Sequence, residues 1–170
     1  MKLELKNLQA HDADRFASEM QEAFQLAVDH AGEKTPLPVL PRTDIDESLA
    51  NPQAEALVAW MDGRPVGGTV IFANRETREY ECALLYVAAA EHSKGIGTEL
   101  WQAIEAHYPD AVAWTLCTPY FETRNIHFYL RKCGFHIVDL IEEPDKDEKH
   151  YGDERDYMFS FIKRLDGRWA

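Results

Sequence analysis

The chain is short of several things that would place it in a familiar class. Three cysteines, Cys82, Cys117 and Cys133, stand far apart and are odd in number. With no Cys-x-x-Cys and no His-x-x-x-His pair, a structural zinc site is not expected, and no metal is assigned. The cysteines are expected as reduced thiols on or near core elements. No apolar run approaches the roughly 20 residues of a membrane helix. The opening Met1-Lys2-Leu3-Glu4-Leu5-Lys6 is no signal peptide, so the expectation is a cytoplasmic chain with no membrane partner. Basic charge is also scarce: 18 Lys and Arg face 30 Asp and Glu, a formal net charge of −12. That is the wrong sign for a nucleic-acid partner, because phosphate backbones call for a basic face. It is compatible with a cationic amine, although net charge speaks to solubility first. Much of the excess sits in Asp44-Ile45-Asp46-Glu47 and in the run from Glu142 to Glu148, both expected as solvated loops.

What is present suits one globular domain over residues 1–170. The apolar fraction is 45% and the aromatic fraction 11%, enough for a core without cross-links. Residues 2–8 alternate Leu3, Leu5 and Leu8 with polar partners, as a first strand does. Phe16, Met20, Phe24 and Ala27 recur at helical spacing behind Asp12, predicting a capped helix over 13–28. Gly32, Pro36, Pro38 and Pro41 mark a loop over 29–44, and a short helix follows across Ile45–Leu49. Ala56–Met61 and Pro65–Phe72 read as strands joined by Asp62-Gly63, a hairpin turn signal. Gly67-Gly68 predicts a bulge or a close backbone approach. Tyr80–Val87 completes an antiparallel meander.

The pattern then changes to helix (Gly95–Tyr108), strand (Val112–Cys117), helix (Arg124–Lys132, closed by Gly134) and two last strands (Phe135–Ile141 and Tyr157–Arg164). The expected fold is α/β (α+β): a mixed, mostly antiparallel sheet of six to seven strands with helices on both faces.

The chemistry-bearing stretch is Leu84 to Thr98. An apolar strand ending in Val87 runs into a short loop, and Gly95 and Gly97 lie where a helix begins. The first amides of a helix have no intrahelical acceptor, and the positive end of the helix dipole stands behind them. Such a terminus suits a pyrophosphate, and glycines let the oxygens approach without meeting a Cβ. An ordinary strand-to-helix turn would look similar. A dinucleotide-binding fold would want Gly-x-Gly-x-x-Gly in its first strand–helix unit, whereas position 100 is Leu and three antiparallel strands come before.

This loop resembles the phosphate-binding signature of the GNAT superfamily of N-acetyltransferases, Gln/Arg-x-x-Gly-x-Gly/Ala. His92 takes the first place, and His92 and Ser93 stand where many members carry Arg and Gly. A second stretch, Thr118 to Phe135, is similar to the family's Asn-x-x-x-x-Phe-Tyr-x-x-x-Gly-Phe ending, with two residues fewer between Asn125 and Phe128. Tyr129 lies five residues before Gly134 where the common spacing is four, and a helix bulge would absorb the extra residue.

The resemblance implies transfer of an acetyl group from acetyl-CoA to an amine. Tyr129 would be the acid that protonates the departing thiolate, and Glu81, six residues before Val87, the general base, with a water relay as the alternative. The backbone of Leu85, Tyr86 and Val87 and the side chain of Asn125 would hold the pantetheine arm. His92, Ser93, Lys94, Gly95, Ile96, Gly97 and Thr98 would cradle the phosphates. A small-molecule or peptide amine is the implied partner, and homodimerisation is left open. A non-catalytic acyl-CoA-binding protein of the same fold is the alternative. It would keep the loop and lose the acid.

Overall fold

In the computed structural model, which describes residues 2–30, 39–142 and 157–167, the strands are β1 (Glu4–Asn7), β2 (Ala54–Met61), β3 (Arg64–Ala73), β4 (Glu79–Val87), β5 (Ala113–Pro119), β6 (His136–Glu142) and β7 (Tyr157–Arg164). They form one sheet in the order β1-β2-β3-β4-β5-β7-β6. Only β4 and β5 pair in parallel. The expected mixed, mostly antiparallel sheet is therefore what the chain builds.

The turn at Asp62-Gly63 carries φ of 53° and 77° and directly joins paired Met61 and Arg64. Two positive φ values are what a two-residue turn needs to match the twist of its strands. The Gly67-Gly68 expectation holds on both counts. Val66 is the extra residue of a bulge between the Ala59–Gly67 and Trp60–Pro65 pairs. A Cβ on Gly68 would lie 2.6 Å from the Phe16 ring and 2.9 Å from the Leu57 carbonyl. The missing side chain lets helix α1 (Ala13–His30) lie close on the sheet.

Two apolar clusters cover the two faces. On one, α1 and α2 (Arg42–Ala50) bury Phe16, Met20, Ile45, Val58 and Tyr86. On the other, α3 (Ile96–His107) buries Leu100, Trp101 and Ile104 against Tyr80, Trp114 and Phe161. Trp114 makes edge contacts with Tyr80, Trp101 and Tyr108 at ring centroids of 5.2–5.6 Å, so burial and ring geometry act together there. No helix among the described residues is long and apolar enough to cross a membrane.

Three expectations change. The 29–44 loop is narrower, because α1 runs on to His30 and α2 begins at Arg42; residues 31–38 lie outside the described residues. Asp44-Ile45-Asp46-Glu47 is not a solvated loop but part of α2, with Ile45 fully buried. Charge count concealed Ile45, which docks the helix together with Leu49. Asp12 sits in a 3-10 turn (Ala10–Asp12), and its carboxylate meets Arg15 at 3.1 Å rather than capping α1. The acidic run beyond Glu142 falls outside the described residues, while Glu142 itself ends β6.

Candidate active site

The site begins with a bulge. The β3–β4 register passes from Val70–Leu84 to Ile71–Cys82, which leaves Ala83 as an extra residue on β4. A bulge bends its strand and increases the local twist. Parallel pairing of β4 with β5 accordingly ends at Glu81–Thr115, while β5 stays paired with β7 along its whole length. Beyond that point β4 and β5 part. A cavity of about 900 Å³ opens there, walled by residues 82–87 of β4 and 117–119 of β5.

The backbone of β4 faces this opening in alternation. The amide of Ala88 donates to the Val66 carbonyl at 2.9 Å. By the two-residue period, Tyr86 also turns its backbone to β3, and Leu85 and Val87 turn theirs the other way, into the gap. No strand pairs with them there. Of the three β4 residues expected to hold a pantetheine arm, Leu85 and Val87 thus present free-edge polar groups. Tyr86 is buried, and its hydroxyl donates to Glu19 on the opposite face at 3.2 Å.

At one end of the cavity lies the glycine loop. After a 3-10 turn (Ala89–Glu91), Ser93 and Gly95 adopt left-handed φ of 67° and 76°, and α3 starts at Ile96 with Gly95 as its N-cap. Left-handed backbone costs an L-residue about 1–2 kcal/mol and glycine almost nothing, so Ser93 holds this conformation at a cost that a glycine there would not carry. The amides of Ile96, Gly97 and Thr98 precede the first intrahelical bond, from Glu99 to the Gly95 carbonyl, and remain available to a ligand. A Cβ on Gly97 would sit 3.4 Å from the Phe128 ring.

His92 is engaged otherwise than its place in the motif suggested. Its Nε2 lies 2.7 Å from the Val87 carbonyl. As donor it ties the loop to the end of β4 and takes up the one outward Val87 group that would otherwise accept from a ligand. Lys94 donates to Glu91 at 3.1 Å, and Arg64 reaches the same carboxylate at 2.8 Å.

Glu91 thereby fastens the loop to the β2–β3 hairpin. Bonds from Arg64 and Lys94 pull its pKa from 4.5 down to about 2. Because the folded value is depressed, the stabilising contribution is complete above the ordinary carboxylate range and is lost as pH falls toward 2. Glu91→Gln is expected to lower the melting temperature at pH 7. The difference from wild type should shrink progressively between pH 4.5 and about pH 2, as thermal melts across a pH series would read.

The other wall carries the second motif. α4 (Thr123–His127) continues as a π-helix over Phe128–Cys133 and stops at Gly134, φ 84°. This wider turn is the bulge that the five-residue spacing called for. It places Tyr129 in the cavity wall, with its ring held by Phe128, Phe135 and Phe161 at 5.4–6.0 Å. The Tyr129 hydroxyl has no hydrogen-bond partner among the described residues. Burial raises its pKa well above the usual tyrosine value, with Cys82, Cys133 and Glu122 adding to the shift.

Asn125 also lines the cavity, but its amide donates to Glu122. A carboxylate accepts only from the NH₂ end of an amide, so the Asn125 carbonyl is the end left for a ligand N–H. Glu81 is exposed on β4 and is not part of the cavity wall, although burial of its surroundings raises its pKa. Lys94 and Thr98 likewise stand outside the wall, whereas His92, Ser93, Gly95, Ile96 and Gly97 line it.

Sequence reasoning missed Glu122, which is 7% exposed and lines the cavity. It also missed Asp44, Glu47 and Ser48, spaced i, i+3, i+4 on the α2 face that meets the far end of the same cavity.

Comparison with known proteins decides the family. Residues 15–135 match the model of the acetyltransferase (GNAT) family. The chain belongs to this family. It is similar to the Bacillus subtilis (strain 168) protein YrkN, 44% identical over 133 residues, which is 78% of this chain and 72% of YrkN. Among solved structures it resembles a Bacillus subtilis acetyltransferase in complex with CoA, at a TM-score of 0.67 and 21% identity over 96% of this chain and 98% of that one. It also resembles the spermidine N-acetyltransferase of Vibrio cholerae in complex with CoA and spermine, at 0.70 and 13% identity over 96% of each chain. For this GNAT member, likeness at those identities speaks for the fold. The chemistry has to come from its own residues.

Proposed function

We propose that this acetyltransferase-family chain moves an acetyl group from acetyl-CoA to a primary amine by direct attack in a ternary complex. The observation that carries the reading is the parting of β4 from β5. It makes one continuous cavity from the glycine loop to the α1–α2 end, with Tyr129 in its wall. Two substrates can meet in such a passage from opposite ends without a covalent intermediate on the protein. CoA-bound relatives of the same fold support the choice of donor.

The amides of Ile96, Gly97 and Thr98, at the positive end of α3, take the pyrophosphate. The outward backbone groups of Leu85 and the Val87 amide, together with the Asn125 carbonyl, hold the pantetheine arm. That leaves the thioester in the gap between the strands. Attack by the amine puts negative charge on the carbonyl oxygen, for which an unpaired β4 amide is a fixed donor. The thiolate then departs toward the Tyr129 hydroxyl. Burial keeps this phenol protonated at neutral pH, so it works as a proton donor and not as a base.

Of the two cysteines lining the cavity, buried Cys82 is an unsuitable covalent carrier, since burial pushes its thiol up to about 12 and thiolate is the nucleophilic form, whereas Cys117 is exposed rather than buried. The acceptor end mixes Phe24, Leu40 and Phe72 with Asp44 and Glu47, which supports a positively charged small-molecule or peptide amine with an apolar body.

The test has two stages. Binding to the native state alone raises stability by about 2.7 kcal/mol at a hundredfold excess over Kd, so millimolar acetyl-CoA is expected to raise the melting temperature clearly. A panel of amines is then screened for release of CoA thiol. No shift and no heat of binding would remove the donor. A shift without thiol release from any amine would leave an acyl-CoA-binding protein.

A further inference from the structure

We propose that Glu122 is the base that takes the proton from the acceptor amine, an assignment that rests on the acetyl-transfer reading above. The residue sits where β5 ends and the chain turns into α4, and it faces the cavity while only 7% exposed. A buried carboxylate is costly unless donors surround it. Here the Asn125 amide supplies one bond, and the nearby Thr118 hydroxyl also favours the charged form. A carboxylate offers about four acceptor positions, so capacity remains for an incoming N–H. Glu122 and Tyr129 line the same cavity, so the proposed base and acid open on one space, and the charge of Glu122 adds to the upward shift of the Tyr129 phenol. Besides Glu122 and Tyr129, the titratable groups lining the cavity are Asp44 and Glu47 of α2, Cys82 and Tyr86 of β4, Glu91 and His92 of the glycine loop, Cys117 of β5 and Arg124 of α4. Glu81 is exposed on β4 and has no place in that wall. Burial also lifts the Glu122 pKa above the ordinary carboxylate value, which makes its ionised form the stronger base.

The protons balance as follows. The acceptor arrives as an ammonium ion, and one N–H proton passes to the Glu122 carboxylate, directly or through one water. The freed lone pair forms the C–N bond to the thioester carbonyl. The C–S bond breaks with its electron pair on sulfur, and the thiolate takes the Tyr129 proton. The acylated nitrogen returns a proton to Tyr129, and Glu122 releases its own to water. Ammonium ion and acetyl-CoA become amide, CoA thiol and one hydrogen ion.

The experiment measures kcat/KM against pH for wild type and Glu122→Gln, using a simple alkylamine of pKa about 10 and a fluorinated ethylamine of pKa about 7. If wild type releases no thiol with any amine, the transfer reading itself fails, and Glu122 is not what failed. Given transfer, Glu122→Gln is expected to lose about tenfold or more at pH 7 with the alkylamine, with unchanged acetyl-CoA affinity. Its rate should then climb about tenfold per pH unit as free amine accumulates, where wild type is level. The gap should narrow for the fluorinated amine, which needs no base. A wild-type profile in the variant overturns the proposal. So does an equal loss with both amines, the mark of a structural lesion. Should Glu122→Gln fold poorly, Glu122→Asp keeps the carboxylate and is expected to show the level profile at a lower rate. A profile rising with free amine in that variant overturns the proposal as well.

Discussion

Gly97→Val is expected to weaken CoA binding by about a hundredfold or more, because the lost contacts are hydrogen bonds to a charged group worth about 1.5–3 kcal/mol each. Position 97 is in the first turn of α3, one residue past Ile96. A Cβ there would lie 3.4 Å from the Phe128 ring, an ordinary contact distance. The native backbone needs no left-handed φ at this residue. Valine is a better helix former than glycine by a few tenths of a kcal/mol, so the free protein should keep its fold. The branched side chain would nevertheless stand over the amides proposed to receive the pyrophosphate. Titration calorimetry with CoA, beside a circular-dichroism melt, separates the two effects. Folded Gly97→Val with wild-type affinity would move the phosphate site elsewhere. Gly97→Ala should fall between the two, since one methyl covers less of the same surface.

The sequence spoke most clearly where local backbone demands are strict. Asp62-Gly63 had to be a tight turn, because two consecutive positive φ values suit few other pairs. The loop carried its own geometry at Gly95, whose φ is 76°, for the same reason. The five-residue step from Tyr129 to Gly134 asked for a wide helical turn, and the π-helix supplies it. What was not legible depends on contacts between distant segments. The site cavity exists because Ala83 bulges and β4 leaves β5, and nothing in the local pattern of residues 80–87 reveals that. Asp44 and Glu47 looked like solvated charge, since only the docking of Ile45 decides which α2 face meets the cavity. Glu122 had one local sign. It precedes Asn125 by three residues just after a strand, a spacing that lets the two side chains meet across the first turn of a helix. Burial turns that pair from surface decoration into part of the cavity wall.

Tyr129→Phe is expected to lower turnover by about 10²–10⁴-fold, the usual cost of removing an acid from the transition state. The substitution is unusually clean here. The ring is held by Phe128, Phe135 and Phe161, and phenylalanine keeps all three contacts. The hydroxyl has no hydrogen-bond partner among the described residues, so its removal leaves no orphaned donor or acceptor. Stability and acetyl-CoA affinity should therefore match wild type, and the loss should appear in kcat. The chemistry also sets a pattern across substrates. An acid matters most when the leaving thiolate is basic, so a thioester with a more acidic thiol should lose less on the substitution. Turnover is to be compared at saturating amine and donor, with a pre-steady-state measurement to confirm that chemistry limits the rate rather than product release. Unchanged kcat under those conditions would take Tyr129 out of the mechanism. It would then be an aromatic packed into the wall, and water in the gap between β4 and β5 would have to protonate the sulfur.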